Sequence, residues 1–376
     1  MSRSTPPDRL TVVIAPDSFK GSLTSVEVAE ALAEGWGRAR PTDTVLLAPL
    51  ADGGEGTLVA IEAAGGWAWR EARVTDPIGR PIVARWLRSE DGLRAVVELA
   101  AASGLSRLAP EERDPHGATT LGTGELLRAA IDEGVRTITL GIGGSATNDG
   151  GVGILRALGG SVTEAAIDLA GLDPRLGEVD LRIACDVSNP LLGPMGAAAT
   201  YGPQKGATKD DVTALDAALA RYADALEGAT ARRERETPGA GAAGGVGFGL
   251  LSLRDRFRSL ELVPGVDVLM EETDLDGKLA RADLVITGEG RIDAQTAFGK
   301  TALGVARRAH AHGLPSIAVG GGVVPEGAAA LAALGCVAVP VVERPQSVEE
   351  AMSAGPEPLI RCAERIGRLV GLLAVD

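Results

Sequence analysis

Cysteine is scarce in this chain: Cys185, Cys336 and Cys362 are its 3 cysteines, far apart in 376 residues. Their spacing suits neither a zinc site nor a disulfide framework, so they read as buried, reduced thiols. Histidine is as rare. His116, His310 and His312 lack the spacing of a metal-binding helix or a triad, and no G-x-S-x-G elbow appears, so hydrolase and metalloenzyme readings are poor. Aromatic residues amount to 4 Trp, 4 Phe and 2 Tyr, which leaves any adenine pocket to aliphatic side chains. Positive charge is in deficit as well: 37 Lys and Arg stand against 51 Asp and Glu, a formal net charge of −14. That balance argues against sequence-independent binding to nucleic acid or to anionic membranes, and the expected partners are small molecules. Long apolar runs are missing too. The uncharged stretch 327–342 is broken by Gly335 and Pro340 and falls short of the roughly 20 apolar residues of a membrane-spanning helix. The first ten residues are polar and contain proline, without the basic-then-apolar order of a secretory signal, so a cytoplasmic location is expected. Homo-oligomerisation is left open.

With 45% hydrophobic and 23% charged residues the chain has ordinary globular usage, and 376 residues suggest two domains at about 100 to 200 residues each. What stands out is glycine, at 51 residues and clustered. Glycine lets backbone N–H groups approach a ligand closely, so dense glycine at strand ends is a way to line an anion site. Lysine is informative by contrast. Only 5 of the 37 basic residues are lysine, and Lys20 and Lys205 each sit beside a glycine, where a compact ammonium suits a ligand site.

Residues 11–15 (TVVIA), a loop at 16–25, a helical pattern at 26–38 and a β-like run at 44–48 read as β-α-β. Between 70 and 99 the pattern changes to three β-like runs joined by turns at Asp76-Pro77, Gly79 and Asp91-Gly92, an antiparallel meander. Strands follow at 137–142 and 181–186, a long charged helix at 208–235, and a glycine loop at 238–249. From 278 onward helix and strand alternate again, with a strand at 284–287, and a helix over 349–373 closes the chain. Parallel α/β sheets grow through such alternating units, so the C-terminal third is expected to complete the sheet begun at the N-terminus. The expected organisation is one discontinuous α/β domain, 9–65 with 275–376, and an inserted domain, 66–274.

Five polar, glycine-bearing segments follow predicted strands, where open α/β sheets place their ligands. The first, Asp17-Ser18-Phe19-Lys20-Gly21-Ser22, brings an acid, hydroxyls and an ammonium together, although a helix N-cap by Ser22 or Thr24 explains part of it. The second, residues 52–57 (DGGEGT), sets two carboxylates among three glycines. The third, residues 141–151 (GIGGSATNDGG), is the densest signal. It matches a loose dinucleotide fingerprint, but phosphate cradling by backbone N–H groups is the broader inference. The fourth carries Asp186, a plausible base, and Asn189, followed by Lys205 in YGPQKGAT. The fifth, residues 287–293 (TGEGRID), leads to a permissive phosphate-loop match at 294–301, set aside because the strand is expected to stop near Thr287. Such an inventory fits phosphoryl transfer, which needs donors for phosphate oxygens, a carboxylate for the acceptor's proton and a divalent cation. A nicotinamide-dependent dehydrogenase and a non-catalytic sugar-acid-binding regulator are the alternatives.

The segments APDSFKGSLTS, PLADGGEGT, GIGGSATNDGG, ACDVSNPLLGP, YGPQKGAT, PGAGAAGG and ADLVITGEGRID, in this order between about residues 12 and 342, resemble the glycerate kinase type 1 family. The resemblance implies a flavodoxin-like, doubly wound parallel sheet formed by both chain ends, and an inserted α/β domain with a mixed sheet. It further implies ATP-dependent phosphorylation of D-glycerate, usually to 2-phosphoglycerate in glyoxylate, glycolate or sugar-acid use, with ATP and Mg²⁺. Within these motifs the expected catalytic residues are Lys20, Asp52, Asp186 and Lys205. The lysines would neutralise the transferring phosphate, and Asp186 or Asp52 would take the hydroxyl proton. Asp17, Ser18, Asn189, Glu289, Arg291 and Asp293 are expected to bind substrate, Arg291 through the carboxylate. Gly143, Gly144, Ser145, Asn148 and Asp149 are expected to hold nucleotide phosphates. The metal ligands are left unassigned.

Overall fold

The computed structural model describes residues 9–50, 56–163, 166–293 and 301–372. The strands are β1 (Thr11–Pro16), β2 (Thr44–Leu47), β3 (Trp67–Thr75), β4 (Pro81–Ser89), β5 (Arg94–Glu98), β6 (Thr137–Gly141), β7 (Ser161–Val162), β8 (Ile167–Asp168), β9 (Asp180–Ala184), β10 (Ser259–Val263), β11 (Leu284–Ile292), β12 (Ser316–Val323) and β13 (Cys336–Pro340). The chain divides into two compact units, the first comprising Met1–Asp52, Val59–Gly65 and Leu269–Asp376, the second Gly53–Leu58 and Gly66–Val268.

The first unit is built on a parallel five-stranded sheet in the order β2-β1-β11-β12-β13. Counted within the unit this is the 2-1-3-4-5 order of a flavodoxin-like, doubly wound sheet, whose ligand crevice lies where the order reverses, between β1 and its neighbour β11. β-branched residues make the central strands. Val12 and Ile14 point to one face, into a core with Leu32, Trp36, Ile286, Ile360 and Ile366. Alternation along β12 sends Val319 to that core and Ala318 to the opposite one, with Ile292, Leu303 and Leu331. Thr24 starts the helix Ser25–Ala39 through a reciprocal capping box with Glu27. That helix crosses Glu357–Leu372 closely, since a Cβ on Gly35 would lie 2.0 Å from the carbonyl oxygen of Ile360. The closing helical region is broken at Gly355-Pro356, giving Val348–Ser353 and Glu357–Leu372 in place of one helix, because proline disfavours helical backbone in the residue before it.

The second unit carries a mixed six-stranded sheet in the order β10-β9-β6-β5-β4-β3. β3, β4 and β5 pair antiparallel as a meander, whereas β5, β6, β9 and β10 are parallel. β10 is absent from the sequence reading. Its five residues, SLELV, are shorter than a confident periodic signal. The helix Lys209–Thr230 buries a narrow stripe of Leu215, Leu219, Ala223 and Leu226 and leaves its charged face in water. The glycine loop expected at 238–249 is a helical segment instead, Ala242–Ser252, opened by three left-handed residues, Ala243, Gly244 and Gly245. Its apolar Val246, Phe248, Leu250 and Leu251 are buried, and that packing overrides the low helix propensity of its glycines. No described helix is long and apolar enough to cross a membrane.

Candidate functional site

At the carboxyl end of the first unit's sheet, β1 and β11 meet at the register pair Pro16↔Gly288, and Asp17 N–H extends the pairing to the Gly288 carbonyl at 2.8 Å. Asp17 Oδ1 accepts from Ser18 N–H at 2.6 Å, and Oδ2 accepts from Thr301 Oγ1 at 2.6 Å. Thr301 was not among the expected site residues. Its motif was visible, but its contact with Asp17 spans most of the chain and has no local signature. Glu289 is buried at the end of β11, opposite Gly320 of β12. The segments beside it approach so closely that a Cβ on Gly321 would lie 2.6 Å from the Gly290 carbonyl oxygen, and one on Gly290 would lie 3.3 Å from Phe19 Cα. Lys20 is exposed next to this crossing, and exposed Arg291 lies 3.4 Å from the half-buried Asp293 carboxylate. The first and fifth motifs thus come together at the switch point, with Asp17, Ser18, Lys20, Glu289, Arg291 and Asp293.

One premise of the sequence reading fails here. β11 does not stop near Thr287 but runs to Ile292, with Glu289 and Arg291 paired to Gly320 and Gly322, so the TGEGRID motif is mostly strand. β1 pairs only as far as Gly288, and parallel pairing with β12 carries the strand on to Ile292, through a glycine-rich segment that local propensity reads as loop. Asp52 and residues 294–300 lie outside the described residues.

In the second unit the 141–151 loop leaves β6 and returns as the helix Val152–Ala157. Its inner side is tied down. Leu105 N–H donates to Gly144 O at 2.8 Å, Ala146 N–H to Ser103 O at 3.0 Å and Gly150 N–H to Gly244 O at 3.0 Å. By contrast, the N–H groups of Gly143, Gly144, Thr147 and Asn148 meet no acceptor among the described residues. Gly143 and Gly144 are exposed, and Gly144 takes a left-handed φ of 70°, the backbone geometry of an anion-binding nest. Ser145 is buried, as is Asn148, whose Nδ2 and Oδ1 meet no partner among the described residues.

Asp149 holds the loop together. Its Oδ2 accepts from Thr120 N–H at 2.9 Å, Thr120 Oγ1 at 2.8 Å and Gly153 N–H at 3.1 Å, and its Oδ1 from Gly151 N–H at 3.1 Å. Lys205, only 1% exposed, donates from Nζ to Thr147 O at 2.6 Å. Burial pulls its ammonium down to about 7, against the opposing attraction of Asp149. At the end of β9, Asp186 is exposed and its Oδ1 accepts from Gly265 N–H at 2.8 Å, at the start of the helix Gly265–Glu272. Asn189 turns inward: Nδ2 donates to Met195 O at 2.8 Å and Oδ1 accepts from Tyr201 OH at 2.7 Å.

Among the described residues no group of three or more His, Cys, Asp or Glu side chains converges on a metal position. Mg²⁺ seldom needs one, because it keeps waters and binds through one or two carboxylates plus the substrate's phosphates. Asp17, whose Oδ2 accepts from Thr301 Oγ1, and the neighbouring Glu289 and Asp293 are carboxylates of that kind; Asp149, filled by backbone and hydroxyl donors, is not.

Residues 12–371 match the glycerate kinase family. The glycerate kinase of Bacillus subtilis (strain 168) is 43% identical over 331 residues, which is 84% of this chain and 85% of that protein. The glycerate 2-kinase of Escherichia coli (strain K12) is 42% identical over 333 residues, 84% of this chain and 86% of its own length. A crystal structure from Salmonella typhimurium LT2, assigned as a glycerate kinase 2, superposes with a TM-score of 0.84 at 39% identity, covering 97% of this chain and 99% of that one. Matches of this extent leave no room for the dehydrogenase or binding-protein alternatives: the chain belongs to the glycerate kinase family.

Proposed function

We propose that this enzyme transfers the γ-phosphoryl group of ATP to the 2-hydroxyl of D-glycerate, releasing ADP and 2-phosphoglycerate. The hydroxyl oxygen forms a bond to the γ-phosphorus as the bond to the β,γ-bridging oxygen breaks, and the hydroxyl proton passes to a carboxylate. The observation that carries this reading is the 141–151 loop, a strand-to-helix turn in which the N–H groups of Gly143, Gly144, Thr147 and Asn148 meet no acceptor among the described residues. We assign nucleotide phosphates to Gly143, Gly144, Ser145 and Asn148, with Asp149 holding the loop's shape.

Arg291, exposed and only loosely paired with Asp293, suits the substrate carboxylate, and Lys20 supplies a mobile positive charge to the transferring phosphoryl group. Asp17, Ser18 and Glu289 line the same strand ends and orient the substrate's hydroxyls. Asn189, whose side chain is tied to Met195 O and Tyr201 OH, holds the shape of the loop that follows Asp186. Asp186 is assigned as the base, because one oxygen is anchored by Gly265 while the residue stays exposed; Asp52 is the second candidate. When bound, Mg²⁺ neutralises phosphate charge, and Asp17, Glu289 and Asp293 are the residues suited to hold it. We take the two compact units as domains, the second inserted into the first, and place the enzyme in the cytoplasm, in glyoxylate, glycolate or sugar-acid use. ADP release should require D-glycerate, ATP and Mg²⁺ together. Equal release without glycerate would reduce the activity to ATP hydrolysis and refute the proposal.

A further inference from the structure

We propose that Lys205 is a positioning residue: its side-chain nitrogen acts from behind the 141–151 loop, fixing the Thr147–Asn148 peptide so that the Asn148 N–H faces the nucleotide's phosphate. This inference rests on the phosphate-loop reading above and replaces the expected direct contact between Lys205 and the transferring group.

Three observations carry it. Lys205 is 1% exposed and its Nζ donates to Thr147 O at 2.6 Å, so this hydrogen bond is sealed away from solvent. None of the described peptide bonds is cis, and in a trans peptide the carbonyl and the following N–H point in opposite directions. Holding Thr147 O toward the lysine therefore turns Asn148 N–H away from it, and that N–H meets no acceptor among the described residues. Finally, the same carbonyl is backed by Gly244, where a Cβ would lie 1.9 Å from Thr147 O. Only a glycine, here at a left-handed φ of 69°, leaves the carbonyl in the position the lysine holds. The Ala146 N–H, donated to Ser103 O at 3.0 Å, is already engaged and provides an internal control.

The test combines amide NMR with kinetics on the full chain. In the wild type, adding ADP should move the Asn148 amide resonance strongly and leave that of Ala146 nearly in place. Lys205→Met should abolish the Asn148 shift and raise the KM for ATP about tenfold, the worth of one buried hydrogen bond, while kcat changes less. Gly244→Ala, which displaces the same carbonyl from the other side, should reproduce that pattern. If ADP binds with no movement anywhere in the loop, the phosphate-loop reading itself fails. If the loop responds but Asn148 does not, or if Lys205→Met keeps its KM and loses kcat a hundredfold, the positioning role is overturned. The wild-type titration decides the matter even where a variant does not fold.

Discussion

Asp186 and Lys205 are both ionisable residues in polar turns, yet their surroundings give them different work. Asp186 is exposed, with one oxygen anchored to Gly265 N–H. Asp186→Asn keeps that acceptor and removes only the basicity, so kcat should fall by at least about a hundredfold with stability little changed. Near-normal turnover would take Asp186 out of the role and leave Asp52 as the base. Lys205 is sealed, and burial holds it at about 7, against an ordinary value of 10.5. Between those values the unfolded chain carries a proton that the folded chain lacks, so Lys205's contribution to stability grows as pH rises through this window and is fully lost below about 7. The Tm difference between Lys205→Met and wild type should therefore shift against the variant from pH 7 to pH 10; a constant difference would contradict the burial argument. The sequence identified these residues as candidates from their neighbours. What it could not show is burial and long-range partners: Asp149 looked like a ligand, but its Thr120 contacts come from 29 residues away and make it the loop's organiser.

At the scale of elements, strong periodicity was readable and glycine-rich pairing was not. β1, the capped helix after it and the meander of β3 to β5 carry local signals strong enough to place them. β11 beyond Thr287 and the helical segment Ala242–Ser252 are glycine-rich, and each exists because neighbouring elements satisfy its backbone or bury its apolar side chains. Glycine also sets the closest helix crossing in the first unit. Gly35→Ala would place a methyl group 2.0 Å from the Ile360 carbonyl oxygen, so the helices must separate. A loss of about 1 to 3 kcal/mol in urea unfolding is expected, as for other overpacked contacts. A neutral or stabilising result would mean that the Gly35 crossing is looser than described.

At the scale of the whole molecule, the alternation of helix and strand at both chain ends already implied one parallel sheet, and the observed order β2-β1-β11-β12-β13 gives it a switch point at β1 and β11. Asp17, Ser18, Glu289 and Arg291 collect there although more than 260 residues separate the two motifs, a placement fixed by topology and invisible to local pattern. Similarity to the glycerate kinase family over residues 12–371 then connects that architecture to a reaction. The most direct test of the account is phosphorus NMR of a reaction containing the enzyme, D-glycerate, ATP and Mg²⁺. The account predicts that ADP and 2-phosphoglycerate appear in equal amounts as ATP disappears. A 3-phosphoglycerate signal would contradict the assigned hydroxyl, and folded enzyme that forms no phosphoglycerate would contradict the central claim.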